Sequence, residues 1–382
     1  MLKMVTGEGI TLTPDYMFLL DGKNITAAFS SRLISLTLTD NRGFVADQLE
    51  VMLDDSDGQI ELPQRGLAFA FYLGWKGTDS VLIGKGTFTV DEVTHQGAPD
   101  VVKIVARSAD LRGDFNKVRD DSWHDQTLGA IFTAIAKKNK LGVSLEPSLA
   151  AIHIPHIDQT QESDAVFLTR IAKYNGGEMT VKGGKLYLVK PGKGVNAKGE
   201  ILPEITLRRQ DGDKHGFKIS DRDAYTGVTA KWLNTKTPQS QDAAVTLQRK
   251  NKTQHGTSTQ HPNAVSQPKS GSTQKANDGQ YMAGSADNVF TMTKIFASEA
   301  QAKRAADAMW NELQRNVAKF SLSLALGNPQ LCPDMPVRLS GFKSVIDQQR
   351  WRVTTVTHAI NDTGYTSSVN CELDISEAKY DT

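Results

Sequence analysis

The sequence predicts a mainly β chain with an α+β insertion, arranged as two small antiparallel β-barrel-like domains plus a helix/hairpin lobe. Three observations predict it. Short apolar–polar alternations broken by glycine-rich turns fill the first 110 residues, the same pattern resumes after residue 204, and between them the period lengthens to that of helices.

Residues 14–20 and 32–40 read as strands, and Leu36 and Leu38 alternate with Thr37 and Thr39 as a sheet with one wet face requires. A strand at 48–53 ends in Asp54-Asp55-Ser56-Asp57-Gly58. A calcium loop with its glycine at Gly58 needs acids at positions held by Leu53 and Gln64, so a solvated turn is expected instead. Strands at 66–74, 80–93 and 101–106 are close together in the chain, which favours a small barrel or sandwich over 1–110.

From residue 114 the pattern is helical. Leu128, Ile131, Phe132 and Ile135 form one stripe, with Ser122 or Asp125 available as cap and 139–142 as the stop. Ser163 caps a second helix, whose Phe167, Leu168, Ile171 and Ala172 share a face until Asn175-Gly176-Gly177 ends it. Strands at 178–181 and 186–189 then meet through the Gly183-Gly184 turn. These pieces are expected to pack as an inserted lobe over 111–198, which the chain leaves through Pro191-Gly192-Lys193-Gly194.

Strands resume at 204–209 and 224–233, where Val228, Ala230 and Trp232 alternate with Thr229 and Lys231. Residues 236–285 hold few large apolar groups and are expected to be a polar loop or arm, with 253–280 ordered only against a neighbour. Ser298 and Gln301 suit a capping box at the start of the clearest helix, 298–317. Its slender face of Ala302, Ala305, Ala306, Met309, Leu313 and Val317 permits close packing, which makes Ala305, Ala306 and Met309 possible interface residues. Strands at 319–326, 336–339, 350–359 and 365–375 complete a second barrel domain from 199–235 and 286–376, followed by a tail at 377–382.

Composition narrows function. Lys plus Arg number 44 and Asp plus Glu 43, so no global basic field advertises nucleic acid. Lys137-Lys138-Asn139-Lys140 reads as the wet end of a helix. Cys332 and Cys371 are the only cysteines and suit a reducing compartment, as buried free thiols rather than a disulfide. Residues 1–13 hold no continuous apolar segment, so no signal peptide is expected, and the apolar run 67–75 is too short to span a bilayer.

No catalytic constellation stands out. His153-x-x-His156 surrounds Pro155 with no cysteine nearby, which argues against zinc. Glu162 and Asp164 open a helix, where acids offset its dipole. Asp211-Gly212-Asp213 and Asp221-x-Asp223 read as turns, and Walker, nucleophile-elbow and His-Glu-x-x-His motifs are missing from the sequence. The expectation is a non-enzyme with no catalytic, cofactor-binding or metal-binding residues.

The run Gln161-Glu162-Ser163-Asp164, followed by Phe167-Leu168-x-Arg170-Ile171-Ala172 and Gly176, resembles the signature of the late control protein D family of tailed phages and of the hub region of type VI secretion spike proteins. Near the end, Leu326-x-Asn328-Pro329, Pro333-x-Met335-Pro336-Val337-x-Leu339 and Trp351-Arg352-Val353-x-x-Val356-x-His358 are similar to the closing segment of the phage family. The resemblance marks Glu162, Ser163, Asp164, Phe167, Leu168, Arg170, Gly176, Asn328, Pro329, Pro336, Trp351, Val353 and His358 as family-signature structural positions.

That resemblance implies the baseplate hub of a contractile phage tail or related injection particle, part of its axial channel. It implies a homotrimer with two barrels per subunit, joining a six-fold tail tube above to a three-fold central spike below, with baseplate wedge and tape measure proteins as further partners. It places the chain in the virion tail baseplate after assembly in the bacterial host cytoplasm, with no specific nucleic-acid or membrane binding. Two alternatives are a baseplate-associated cell-wall hydrolase and the DNA-binding regulator of late transcription that the family's inherited name suggests.

Overall fold

The structure is a computed structural model and describes residues 4–5, 11–43, 45–76, 82–108, 114–192, 201–220, 225, 227–233, 242–249, 274–276 and 288–374. It divides into two units, the first built from Met1–Ala172, Gly177–Phe217 and Lys319–Glu372, the second from Lys173–Gly176, Lys218–Ala318 and Leu373–Thr382.

The first unit is dominated by one sheet. Its ladder runs Met4–Val5, Thr11–Leu20, Ala68–Lys76, Ile83–Gln96, Val101–Arg107, Gln48–Asp54, Leu33–Asn41, Arg350–Asn361, Gly364–Leu373, Ala318–Leu324 and Gly212–Ile219. The alternation in Leu33–Asn41 holds: Leu36 and Leu38 are buried with Phe18, Phe71, Phe88 and Tyr365 in a shared core, which their exclusion from water stabilises.

Two separate closed barrels are not what this ladder shows. Leu33–Asn41 pairs antiparallel with Arg350–Asn361 in the register Leu38↔His358, so both halves of the chain enter one sheet. Arg350–Asn361 serves two neighbours on one side, pairing near its start with Pro336–Ser340 and later with Leu33–Asn41. Among the described residues no ladder closes on itself. Alternation tells which face of a strand is buried, and says nothing of which strand lies along its edge.

The sheet nevertheless curls. Ile205–Arg208, parallel to Pro336–Ser340, and Gly212–Ile219, beside Ala318–Leu324, lie at opposite ends of the C-terminal run of strands. Only the helical turn Arg209–Asp211 separates them in the chain, so those ends must come together. Gly212 lets its strand lie close along Ala318–Leu324, because a Cβ there would sit 2.5 Å from the Ser323 carbonyl oxygen.

The inserted lobe has its own core of Leu128, Ile131, Phe132, Phe167, Leu168, Ile171, Leu186 and Leu188. Helix α1 is Leu128–Lys138, α2 is Pro147–Ala150 and α3 is Asp164–Tyr174. Gly142–Leu145 runs parallel to Lys185–Val189, which pairs with Glu178–Lys182 through the expected hairpin. The cap of α1 differs from both candidates: Thr127 Oγ1 accepts from the Ala130 amide at 3.1 Å. Ser122 and Asp125 are instead part of a strand, Val118–Thr127, that pairs with His153–Ser163 as an isolated ribbon. Most of Val118–Thr127 is exposed, so it carries no apolar alternation to announce it.

The second unit contains a four-stranded sheet ordered Gln274–Ala276, Asp242–Arg249, Gly227–Leu233 and Val289–Phe296, with helix α4, Glu299–Asn316, across it. Gly227–Leu233 and Val289–Phe296, expected within the second barrel, thus build a sheet of their own. Two pieces of the expected arm over 236–285 are paired strands rather than loop. The remainder of that arm, including the rest of 253–280, lies outside the described residues, as do Asp221 and Asp223. Ser298 Oγ accepts from the Gln301 amide at 3.4 Å, the forward half of the expected box.

Candidate functional site

The first group of signature residues meets where the ribbon becomes α3. Ser163 ends the strand and its Oγ accepts from the Val166 amide at 3.3 Å, capping the helix. Asp164 is fully buried and accepts from Gln159 Nε2 at 3.0 Å and Asn139 Nδ2 at 2.9 Å, with Arg119 Nε 3.5 Å away. It ties both ribbon strands and the end of α1 to the start of α3. A buried carboxylate needs such partners, because its desolvation is otherwise too costly.

Nearly two turns on, Arg170 reaches back to Glu162 at 2.8 Å, donates to the Asp158 carbonyl at 2.9 Å and covers the ring of buried Phe167. Leu168 fills the lobe core beside Phe167. At the other end Gly176 adopts φ +74°, a left-handed backbone that suits glycine. The Gly177 amide bonds the Ala172 carbonyl and the Gly176 amide the Lys173 carbonyl, the paired bonds of a helix-terminating Schellman turn.

The second group lies in the main sheet. Asn328 accepts from the Gln330 amide through Oδ1 and donates its own amide to Ser367 Oγ, turning the chain at Pro329. Pro336 opens its strand opposite Arg352. Trp351 is fully buried against Phe320 and Phe217 and donates Nε1 to the Ile346 carbonyl at 3.0 Å. Buried Val353 donates its amide to the Met335 carbonyl.

His358 is fully enclosed, its Nδ1 2.8 Å from Ser367 Oγ and 2.9 Å from the Tyr365 hydroxyl. Burial, with nearby Lys85 adding to it, pushes the imidazole down to about 2, so it is a neutral hydrogen-bonding strut. Lys85 donates to the Leu331 carbonyl at 3.0 Å, and burial lowers its pKa too.

A third cluster, which sequence reasoning missed, anchors the lobe to the sheet. Lys182 extends from the lobe hairpin to Asp47 at 3.0 Å, Asp40 at 3.2 Å and the Asn41 carbonyl at 3.2 Å. Arg42 spans Glu178 of the hairpin, at 3.3 Å, and Glu372 of the last strand. Burial pushes Asp47 up to about 6, with Asp40 adding to it, whereas Asp40 and Asp47 raise the Lys182 ammonium despite its burial. In the sequence Lys182 is an ordinary hairpin lysine before Gly183, and nothing marks it as an anchor.

The other sequence candidates resolve locally. Arg32 grips Asp57 with two bonds of 2.6 Å, so the cation held by the acidic loop is a guanidinium. His153 pairs with Asp125 at 2.7 Å, while His156 meets His124 and Asp158 at 3.1 Å each. Among the described residues no group of three or more metal-ligating side chains converges. Both cysteines are free, and burial pushes Cys332 up to about 11 and Cys371 up to about 12.

Ala305 and Ala306 are not open for an interface. Both are fully buried against Val228, Ala230 and Met292 of their own unit, and Met309 packs beside them. The small-residue face fits the chain's own sheet, which sequence alone could not distinguish from a neighbour's.

The family described as "Phage tail baseplate hub (GPD)" matches residues 85–364. The "Probable baseplate hub protein" of Escherichia phage P2 is 56% identical over 376 residues, covering 98% of this chain and 97% of its own. Its counterpart in Escherichia phage 186 is 52% identical over 384 residues, covering 99% and 98%. Among solved structures, the 43 kDa tail protein of prophage MuSo2 from Shewanella oneidensis is similar in fold, with a TM-score of 0.62 at 14% identity over 94% of this chain and 98% of its own.

Proposed function

We propose, from the premise that this chain belongs to the phage tail baseplate hub family, that three copies form a ring joining a six-fold tail tube to a three-fold central spike. The chain is a structural baseplate hub of a contractile tail. The carrying observation is the ladder between Leu33–Asn41 and Arg350–Asn361, which draws both ends of the chain into one sheet. A part that bears load between tube and spike is served by such continuity, since backbone hydrogen bonds resist shear collectively. In this reading each half of the curled sheet is one barrel-like wall of an axial channel, and the lobe over 111–198 is an inserted domain.

Signature residues act as locks: Asp164, Arg170 and Gly176 fix the lobe helix, and Asn328, Trp351 and His358 fix the strands that join the halves. Tube protein above and spike protein below are the direct partners, with wedge and tape measure proteins as further contacts. Assembly takes place in the host cytoplasm and the hub ends in the virion tail. The cell-wall hydrolase and the transcription regulator draw no support from the matched family, whose description is structural. Reconstruction of whole tail particles tests the reading: three copies around the axis between tube and spike are expected, and one copy, six copies or a place only in the outer wedges overturns it.

A further inference from the structure

Sequence spacing singles out His153 with His156, yet the structure divides them. His153 Nε2 is engaged by Asp125 Oδ1 at 2.7 Å. His156 instead faces His124, which lies directly opposite it in the antiparallel ribbon and 32 positions away in the chain. Their Nδ1 atoms are 3.1 Å apart, with ring centroids separated by 4.6 Å and planes inclined by 25°. Both side chains are exposed, so the pair can be reached from solvent.

Asp158 sets the tautomer of His156. Its Oδ2 is 3.1 Å from His156 Nε2, while its Oδ1 accepts from the Ser122 hydroxyl. That hydroxyl, with His156 adding to it, holds the carboxyl below its usual range. An ionised carboxylate only accepts, so Nε2 of His156 carries the proton and Nδ1 turns a lone pair toward His124. A carboxylate behind an imidazole in this way orients the ring and strengthens it as a metal ligand.

The spacing of the two nitrogens suits a shared ion. Two bonds of about 2.0–2.1 Å at cis or tetrahedral angles set their nitrogens roughly 2.8–3.4 Å apart, a range that spans the observed 3.1 Å. In the metal-free chain a proton on His124 Nδ1 fills the gap, and a cation takes its place as that proton moves to Nε2. Imidazole ligands favour zinc, nickel and copper over the hard ions magnesium and calcium. With two protein ligands, the ion keeps its other positions on the solvent side, for water or a donor from a neighbouring molecule.

We propose that His124 and His156 clamp one divalent transition-metal ion, of the zinc, nickel and copper class, between the ribbon strands, with Asp158 positioning His156. The full chain, free of any histidine tag, would be titrated with zinc chloride by calorimetry near neutral pH, as wild type and as H124N, H156N, D158A and H153N. One ion per wild-type chain is expected. H124N and H156N should each weaken binding about tenfold or more by removing a ligand, D158A about tenfold by freeing the ring, and H153N should leave it unchanged. Circular dichroism checks that each variant is folded, which substitutions at these exposed positions should not disturb. Because the ion staples two strands, zinc should also slow amide exchange of the ribbon in wild type and have no such effect in H124N. No saturable zinc binding by the folded wild type overturns the proposal, as does binding that survives in both H124N and H156N or is lost equally in H153N.

Discussion

The indole of Trp75 lies against the ring of Tyr365 with centroids 5.0 Å apart, and its Nε1 donates to the Gly327 carbonyl at 2.8 Å. Trp75 is near the end of Ala68–Lys76 and Tyr365 near the start of Gly364–Leu373, strands six steps apart in the ladder order. The main sheet therefore curls until side chains bridge a gap that backbone pairing leaves open. Gly327 makes room, since a Cβ there would fall 2.4 Å from the Tyr365 ring.

Trp75→Phe keeps the ring contact and loses one hydrogen bond, so a cost of about 1 kcal/mol is expected. Trp75→Ala also opens a cavity and is expected to cost about 3 kcal/mol. Urea unfolding of the two variants checks the difference; equal costs would mean that the ring contact contributes nothing.

Lys182→Met leaves Asp40 and Asp47 facing each other beneath the lobe. A loss of roughly 2–3 kcal/mol is expected, below that of a fully buried broken pair because the lysine is partly exposed. Adding Asp47→Asn should recover part of it. Thermal unfolding of the single and double variants reads both effects, and a double variant no better than Lys182→Met would remove Asp47 from the account.

Asp47 also has a pH signature. Its pKa rises to about 6 on folding, from roughly 4 in an unfolded chain, so the folded state holds the proton more tightly. That contribution to stability is full below pH ~4 and is lost as pH rises through about 6. Wild type should lose on the order of 2 kcal/mol between those values relative to Asp47→Asn, measured by urea unfolding at each pH. Parallel pH profiles would contradict the shift.

Asp164→Ala removes the acceptor shared by Gln159 and Asn139 and leaves Arg119 without its carboxylate. A cost of about 3 kcal/mol is expected, concentrated in the lobe. Hydrogen exchange should show faster opening of Val118–Thr127 and His153–Ser163 than of Gln48–Asp54 in the main sheet. Uniform acceleration would argue against a local lock.

Ala305→Leu overpacks the core of the second unit and is expected to cost about 1–3 kcal/mol in unfolding. Because Ala305 is covered by its own chain, copy number in assembled particles should not change. A stable variant that assembles poorly would return this face to the interface.

The sequence by itself determined the elements that bury one face. Leu36 and Leu38 named their strand, Leu128 to Ile135 their helix, and Ser163 and Gly176 the ends of α3. Each carries local information, in side-chain periodicity or in the backbone geometry of a cap. Asp211-Gly212-Asp213 read as a turn, yet Gly212 and Asp213 begin the strand Gly212–Ile219, and Val118–Thr127 went unannounced, because exposed edges need no apolar alternation. Only the tertiary structure decided that Leu38 pairs with His358, that Lys182 is anchored by Asp40 and Asp47, and that Ala305 meets its own sheet. These contacts join residues far apart in the chain. Register, edge choice and the burial of a charge depend on what the rest of the fold brings alongside, and no periodicity encodes that.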